Sequence, residues 1–304
     1  MNVHFKSFMI LVFGIVIVST AGPVIKGITL YPLFVAFFRV LLGFTGFLLL
    51  YLKKKSKMHK KGYDSISLPE KILFMSGGIF LALHFYFWIS AFYKTTVAGG
   101  VIPLMIQPVL VTVMGRLIYK EKFRISFILP LLIIFTGVIT MTLGDHSLGG
   151  QMSNGDMYSI VGTVMVSFYL LIAKKAVKKI GAIKYNVQSY FIASLILLAV
   201  IIFSGEELII GSYLDLIYVL WLGYGCSFMG YLFINKSLNH FTVSEVSIAL
   251  IGEPILSILW AFLIIKEIPN EFQLAGFVFG IAGMLIYFNI MKKEYIMGYN
   301  DKKL

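Results

Sequence analysis

Charge is scarce in this chain. Of its 304 residues only 13% are Asp, Glu, Lys or Arg, while 59% are hydrophobic, a balance foreign to soluble globular domains. Acid is scarcer still, with 14 Asp and Glu against 26 Lys and Arg. The one cysteine, Cys226, lies inside an apolar run, so no disulfide framework exists and the redox compartment stays open. Walker loops, HExxH and CxxC pairs and a nucleophile elbow are all missing. That removes the familiar routes to ATP hydrolysis, zinc chemistry, thiol redox and acyl transfer. An ATP-driven pump would need its ATPase from another chain, and neither a cofactor nor a metal is expected.

What the chain has in quantity is apolar runs of about 20 residues, the length that carries a helix across a ~30 Å hydrocarbon core. Ten are read, at approximately 8–25, 32–52, 71–93, 97–118, 124–144, 157–176, 186–204, 214–236, 242–265 and 271–291. The first ends in Ser19-Thr20-Ala21, which has the look of a signal-peptide cleavage site. Nine further runs follow and no soluble domain does, so it is read as an uncleaved helix. The expected fold class is an all-α integral membrane protein with ten transmembrane helices.

The basic residues orient it. With the N-terminus in the cytoplasm, 22 of the 26 fall on the inner side, against Lys26, Lys94 and Lys266 outside and Arg39 within a span. This is the asymmetry of the positive-inside rule, and it puts both termini in the cytoplasm. The net charge of +12 is therefore read as orientation signals and contacts with anionic lipid. The lipid bilayer is an expected partner and nucleic acid is not.

The most informative pattern is an internal repeat. Residues 91–142 overlay residues 237–288 at a constant offset of 146 with no gap, and 11 of the 52 positions are identical. Thr96-Val97 falls on Thr242-Val243, Pro108 on Pro254, Lys120-Glu121 on Lys266-Glu267 and Gly137 on Gly283. The division expected is 1–145 and 146–304, five spans each. Five is odd, so the second copy enters the membrane from the opposite face. Inverted pairs of this kind underlie alternating access.

Polar residues in apolar runs supply the candidate site. Arg39 lies seven residues after Pro32, about 10 Å from the outer boundary at ~1.5 Å per residue. Its insertion costs on the order of 3 kcal/mol, so it seeks a partner or a wet cavity unless it snorkels. Glu253 falls near the middle of the ninth span, immediately before Pro254, and could bind an ammonium, carry a proton or pair with Arg39. Its repeat twin, Gln107, also precedes a proline. His84 and Trp88 share a helix face that suits either stacking on a planar or cationic ligand or ordinary packing. Pro23, Pro103, Pro108 and Pro254 are read as helix-break and gating positions, where a missing N–H frees carbonyls. Gly276 and Gly280 form a close-packing face, usable within the bundle or as a homodimer seam. Asn235-Lys236-Ser237 has the pattern of a glycosylation sequon but sits at an expected cytoplasmic helix end and is set aside.

These residues resemble the drug/metabolite transporter superfamily, EamA type. The likeness rests on Arg39 within AFFRVLLG, on SAFYKTTVAGGVIPLMIQPVLVTVMGRLIYKEK, and on NKSLNHFTVSEVSIALIGEPILSILWAFLIIKE with Glu253-Pro254 and Lys266-Glu267. It implies ten helices in two inverted halves, with spans 3, 4, 8, 9 and the start of span 1 around the cavity. It also implies a carrier for small metabolites, often exporting amino acids or related compounds. The acid-poor cavity does not resemble the proton-coupled multidrug subgroup with its acidic first helix. The function expected is therefore export of a small polar metabolite, an amino acid or relative, across a bacterial cytoplasmic membrane, with Arg39, His84, Trp88, Gln107 and Glu253 binding it. An uptake permease of the same fold and a lipid carrier or flippase are the alternatives. With no nucleophile or metal-ligand set beside His84 and Glu253, the chain is not read as an enzyme.

Overall fold

A chain in hydrocarbon must satisfy its backbone hydrogen bonds within each segment, and the helix is how an isolated apolar run does so. The computed structural model of the chain describes residues 3–57, 67–119, 125–147, 154–205 and 211–300, and every regular element among them is helical. Seven helices there are long and apolar enough, by length and composition, to cross a membrane. Shorter apolar helices at Val97–Ile106, Ile128–Gly137 and Leu274–Gly283 fall in the other three expected spans. Three of these long or expected spans are interrupted, and their breaks position the site.

The first is α1 (Val3–Ser19) followed by α2 (Ala21–Lys26), with Thr20 between them. Pro23 has no N–H to give to the Ser19 carbonyl four residues back, so the interruption falls just upstream of the proline. After α3 (Pro32–Lys57) and α4 (Leu68–Phe92), the fourth span divides into α5 (Val97–Val101), a 3-10 stretch (Ile102–Ile106) and α6 (Gln107–Tyr119). Pro103 lies within the 3-10 stretch and Pro108 is the second residue of α6. The ninth span divides at the equivalent place, into α12 (Val243–Ala249) and α13 (Gly252–Ile265), with Pro254 in the first turn of α13. The first half of each broken span starts on a threonine cap: Thr96 Oγ1 accepts from Gly99 N–H at 3.0 Å and Thr242 Oγ1 from Glu245 N–H at 3.2 Å. The Lys120-Glu121 turn lies outside the described residues.

Helices α7 (Ile128–Ser147) and α14 (Glu271–Asn300) are repeat twins, and they pack on each other. A Cβ on Gly137 would stand 2.8 Å from the Gly276 carbonyl oxygen, and one on Gly283 would stand 3.0 Å from that of Pro130. Subtracting the repeat offset turns 276 into 130 and 283 into 137, so one contact is the image of the other. As the number falls along α7 it rises along α14, hence the twins run antiparallel. Reciprocity of this kind is the mark of a two-fold axis. Gly276 and Gly280 are both buried inside the chain.

The remaining helices are α8 (Asn154–Ile180), α9 (Ala182–Ser204), α10 (Tyr213–Leu220) and α11 (Tyr231–Ser237). Between α10 and α11 the chain runs as a ten-residue π-helix, Trp221–Gly230, a wide turn that often marks function. Its Gly223 lets α3 approach, since a Cβ there would fall 2.3 Å from Leu42 Cβ. Lys174 corrects one reading of the basic residues. It is buried, and its ammonium donates to the carbonyls of Leu238 (2.6 Å) and Phe241, so it clamps the turn between α11 and α12 and does not reach lipid.

Candidate functional site

All five of the expected binding residues line one cavity. Its wall is Val18 from α1, Arg39 from α3, His84 and Trp88 from α4, Leu104 and Gln107 from the broken fourth span, Val166, Tyr169 and Leu170 from α8, Tyr231, Ile234 and Asn235 from α11, and Leu250 and Glu253 from the broken ninth. Both halves of the chain contribute. Its volume of about 30 Å3 has room for about two waters at ~10–15 Å3 each. Gln107 opens α6 and Glu253 is the second residue of α13, so each polar twin stands where a half-helix begins, at its positive end, although the Gln107 N–H bonds to the Leu104 carbonyl and the Glu253 N–H to that of Leu250.

Arg39 is 1% exposed, which rules out snorkelling. Its Nε–H donates to Ser227 Oγ at 3.0 Å, and its guanidinium lies 4.5 Å from the Phe85 ring centre and 5.5 Å from that of Trp88. Cation–π contact and one hydrogen bond hold it, yet Nη1 has no hydrogen-bond partner. Glu253, half-buried against the same space, makes no side-chain hydrogen bond or ion pair among the described residues. The Arg39–Glu253 ion pair weighed from the sequence is not formed. Opposite charges share the cavity and stay apart.

His84 and Trp88 are partly engaged by the fold. His84 Nδ1–H donates to the Gly162 carbonyl at 2.9 Å, which leaves Nε2 as an acceptor 3.5 Å from Tyr231 OH. Trp88 Nε1–H donates to the Gly100 carbonyl at 3.1 Å, and Ser159 Oγ donates to the same carbonyl at 2.6 Å. That carbonyl lies in α5 upstream of Pro103, where the helix ladder is interrupted. The two rings stack 5.7 Å apart at 22°, giving a flat wall. Gln107 is buried on the cavity with its twin Glu253. Of the four prolines, Pro103, Pro108 and Pro254 stand at breaks beside the cavity, while Pro23 stands below the Thr20 break.

Sequence reasoning passed over four residues of this site. Ser227 anchors Arg39, and Tyr169, Tyr231 and Asn235 form much of the wall opposite. The signal for them was a cluster of hydroxyls and amides in spans 6 and 8, each too ordinary alone to stand out.

The EamA-like transporter family matches residues 6–143 and again 153–289 of this chain. The uncharacterized transporter YdfC of Bacillus subtilis (strain 168) is 25% identical over 278 residues, 90% of this chain and 88% of its own length. Another from the same organism, YyaM, is 23% identical over 259 residues, 82% of this chain and 80% of its own. A solved crystal structure at 15% identity covers 95% of this chain and 98% of that one with a TM-score of 0.72, which shows a shared fold. With the family matched once in each half, this membrane-embedded, multi-pass chain belongs to the EamA-like transporter family.

Proposed function

We propose that the chain is a secondary carrier of ten membrane crossings, built as two inverted five-helix halves (1–145 and 146–304) with both termini in the cytoplasm. It moves a zwitterionic amino acid or related small metabolite by alternating access, with export as its direction. The single observation that carries this reading is that Arg39, with one guanidinium nitrogen lacking a hydrogen-bond partner, and Glu253, with no side-chain hydrogen bond or ion pair among the described residues, line one cavity to which both halves contribute. Unpaired charge in such surroundings is costly, and a solute bearing a carboxylate and an ammonium would complement both groups at once. His84 and Trp88 supply a flat wall, and Gln107 adds a neutral polar contact.

The reciprocal antiparallel contacts of α7 and α14 support the inverted arrangement, and the twin breaks beside Gln107 and Glu253 support a site at its centre. The inner-side excess of lysine supports the orientation, and the family's habit of exporting amino acids supports the direction. The test is counterflow of radiolabelled amino acids into vesicles holding the purified chain. Glu253→Gln keeps the side chain's size and removes its charge, and should lower counterflow at least about tenfold with normal insertion, the loss of one charged hydrogen bond. Undiminished counterflow would remove Glu253 from the mechanism.

A further inference from the structure

Asn235 has no part in the reading above. It is wholly buried on α11 and lines the cavity. Its amide nitrogen donates to Tyr169 OH at 2.8 Å and to Asn186 Oδ1 at 2.6 Å, and Tyr169 OH lies 3.4 Å from that same oxygen. Three helices thus hold the amide in place. Its Oδ1 has no hydrogen-bond partner, and neither has Asn186 Nδ2 behind it. A buried carbonyl oxygen with both lone pairs empty is rare in folded proteins and calls for an explanation. If packing were the only demand on this position, leucine would fill the volume and leave no oxygen stranded.

The stranded acceptor and the stranded donor sit on different helices, Asn235 on α11 and Arg39 on α3. Arg39 lies over Phe85, the Phe85 and Tyr231 ring centres are 5.8 Å apart, and those of Tyr231 and Tyr169 are 6.0 Å apart. A chain of ring contacts therefore links the guanidinium to Tyr169, whose hydroxyl takes the amide's hydrogen bond. Apart from Arg39 and Glu253, the cavity wall carries no Asp, Glu, Lys or Arg to match a second ionised group.

We propose that Asn235, clamped by Tyr169 and Asn186, is a second binding point that accepts a hydrogen bond from the side chain of the transported amino acid. The carrier then selects amino acids with uncharged N–H- or O–H-bearing side chains over aliphatic ones of similar size. The proposal rests on Arg39 and Glu253 holding the α-carboxylate and α-ammonium. A site built around a hydrogen bond rejects the analogue that cannot make it, because the buried acceptor is left empty.

The experiment is counterflow of L-glutamine against L-leucine, with the full chain in phosphatidylethanolamine–phosphatidylglycerol vesicles. Wild type should favour glutamine by about tenfold or more, the worth of one buried hydrogen bond. Asn235→Leu should bring the ratio close to one. Tyr169→Phe, which removes one of the clamping groups and keeps the ring, should lower it part of the way and serves if Asn235→Leu does not fold. Equal counterflow of the two amino acids in wild type, or an unchanged ratio in either folded variant, overturns the subsite and leaves the carrier reading standing. Absence of counterflow for both in folded wild type overturns the amino-acid reading and the subsite with it.

Discussion

Alanine at Gly137 and alanine at Gly280 look alike on a helical wheel, and the structure separates them. At Gly137 the new methyl would meet backbone: the Gly276 carbonyl oxygen at 2.8 Å, Phe279 Cβ at 3.0 Å and Gly280 nitrogen at 3.3 Å. None of these can rotate away, so α7 and α14 must part by about half an ångström along their contact, and overpacking of this kind costs about 1–3 kcal/mol. At Gly280 the methyl would meet Met105 Cε at 3.3 Å and Ile255 Cδ1 at 3.6 Å, the ends of flexible side chains that yield readily. Both substitutions gain about 1 kcal/mol of helix propensity, and the comparison cancels that gain. Gly137→Ala should therefore be less stable than Gly280→Ala by about 1–3 kcal/mol. The single cysteine provides the assay, because Cys226 is buried and a thiol-reactive dye in detergent micelles labels it only on unfolding. Equal labelling midpoints in the two variants, or a higher one in Gly137→Ala, would refute the packing of these twins on each other.

Two further outcomes are expected. Ser227→Ala removes the hydroxyl that holds Arg39 Nε–H while the Ser227 carbonyl keeps its bond from Tyr190 OH at 3.1 Å; the counterflow KM should rise about tenfold, with a smaller change in maximal rate and recovery in Ser227→Thr. An unchanged KM would show that Arg39 is positioned by its aromatic neighbours alone. Glu267→Gln takes the charge from the carboxylate that accepts from Val97 N–H at 3.0 and 3.3 Å, at the start of α5. The labelling midpoint should fall by the equivalent of about 0.3–1 kcal/mol, and a midpoint at the wild-type value would show the contact to be incidental.

Arg39, His84, Gln107 and Glu253 were legible because each is either expensive in an apolar run or duplicated by the repeat, and Trp88 because it shares a helix face with His84. Those are local properties, and the fold had only to bring the residues together. Tyr169, Tyr231 and Asn235 were not legible for the opposite reason. Hydroxyls and amides are tolerated widely in membrane helices, and which way they face depends on helix rotation. In span 8 the π-helix at Trp221–Gly230 breaks the 3.6-residue phase, so no wheel drawn from sequence places Ser227 and Tyr231 correctly. Asn235 carried a misleading pattern as well. The partner of Gly276 was within reach of the sequence: applying the repeat offset to Gly276 and Gly283 points to Pro130 and Gly137, the residues the structure brings against α14. The burial of Lys174 was not, since its carbonyl partners lie in a turn more than 60 residues away.

The separation of Arg39 from Glu253 bears on what can drive the carrier. A zwitterion held between them has no net charge, and the two ionised side chains belong to the protein. On the proposed reading, and with no ion coupled to it, its passage would take nothing from the electrical potential across the membrane, which acts at about 2.3 kcal/mol per elementary charge per 100 mV. The concentration ratio of the cargo would then set the course of flow, and a cell could empty itself of a surplus without drawing down its voltage.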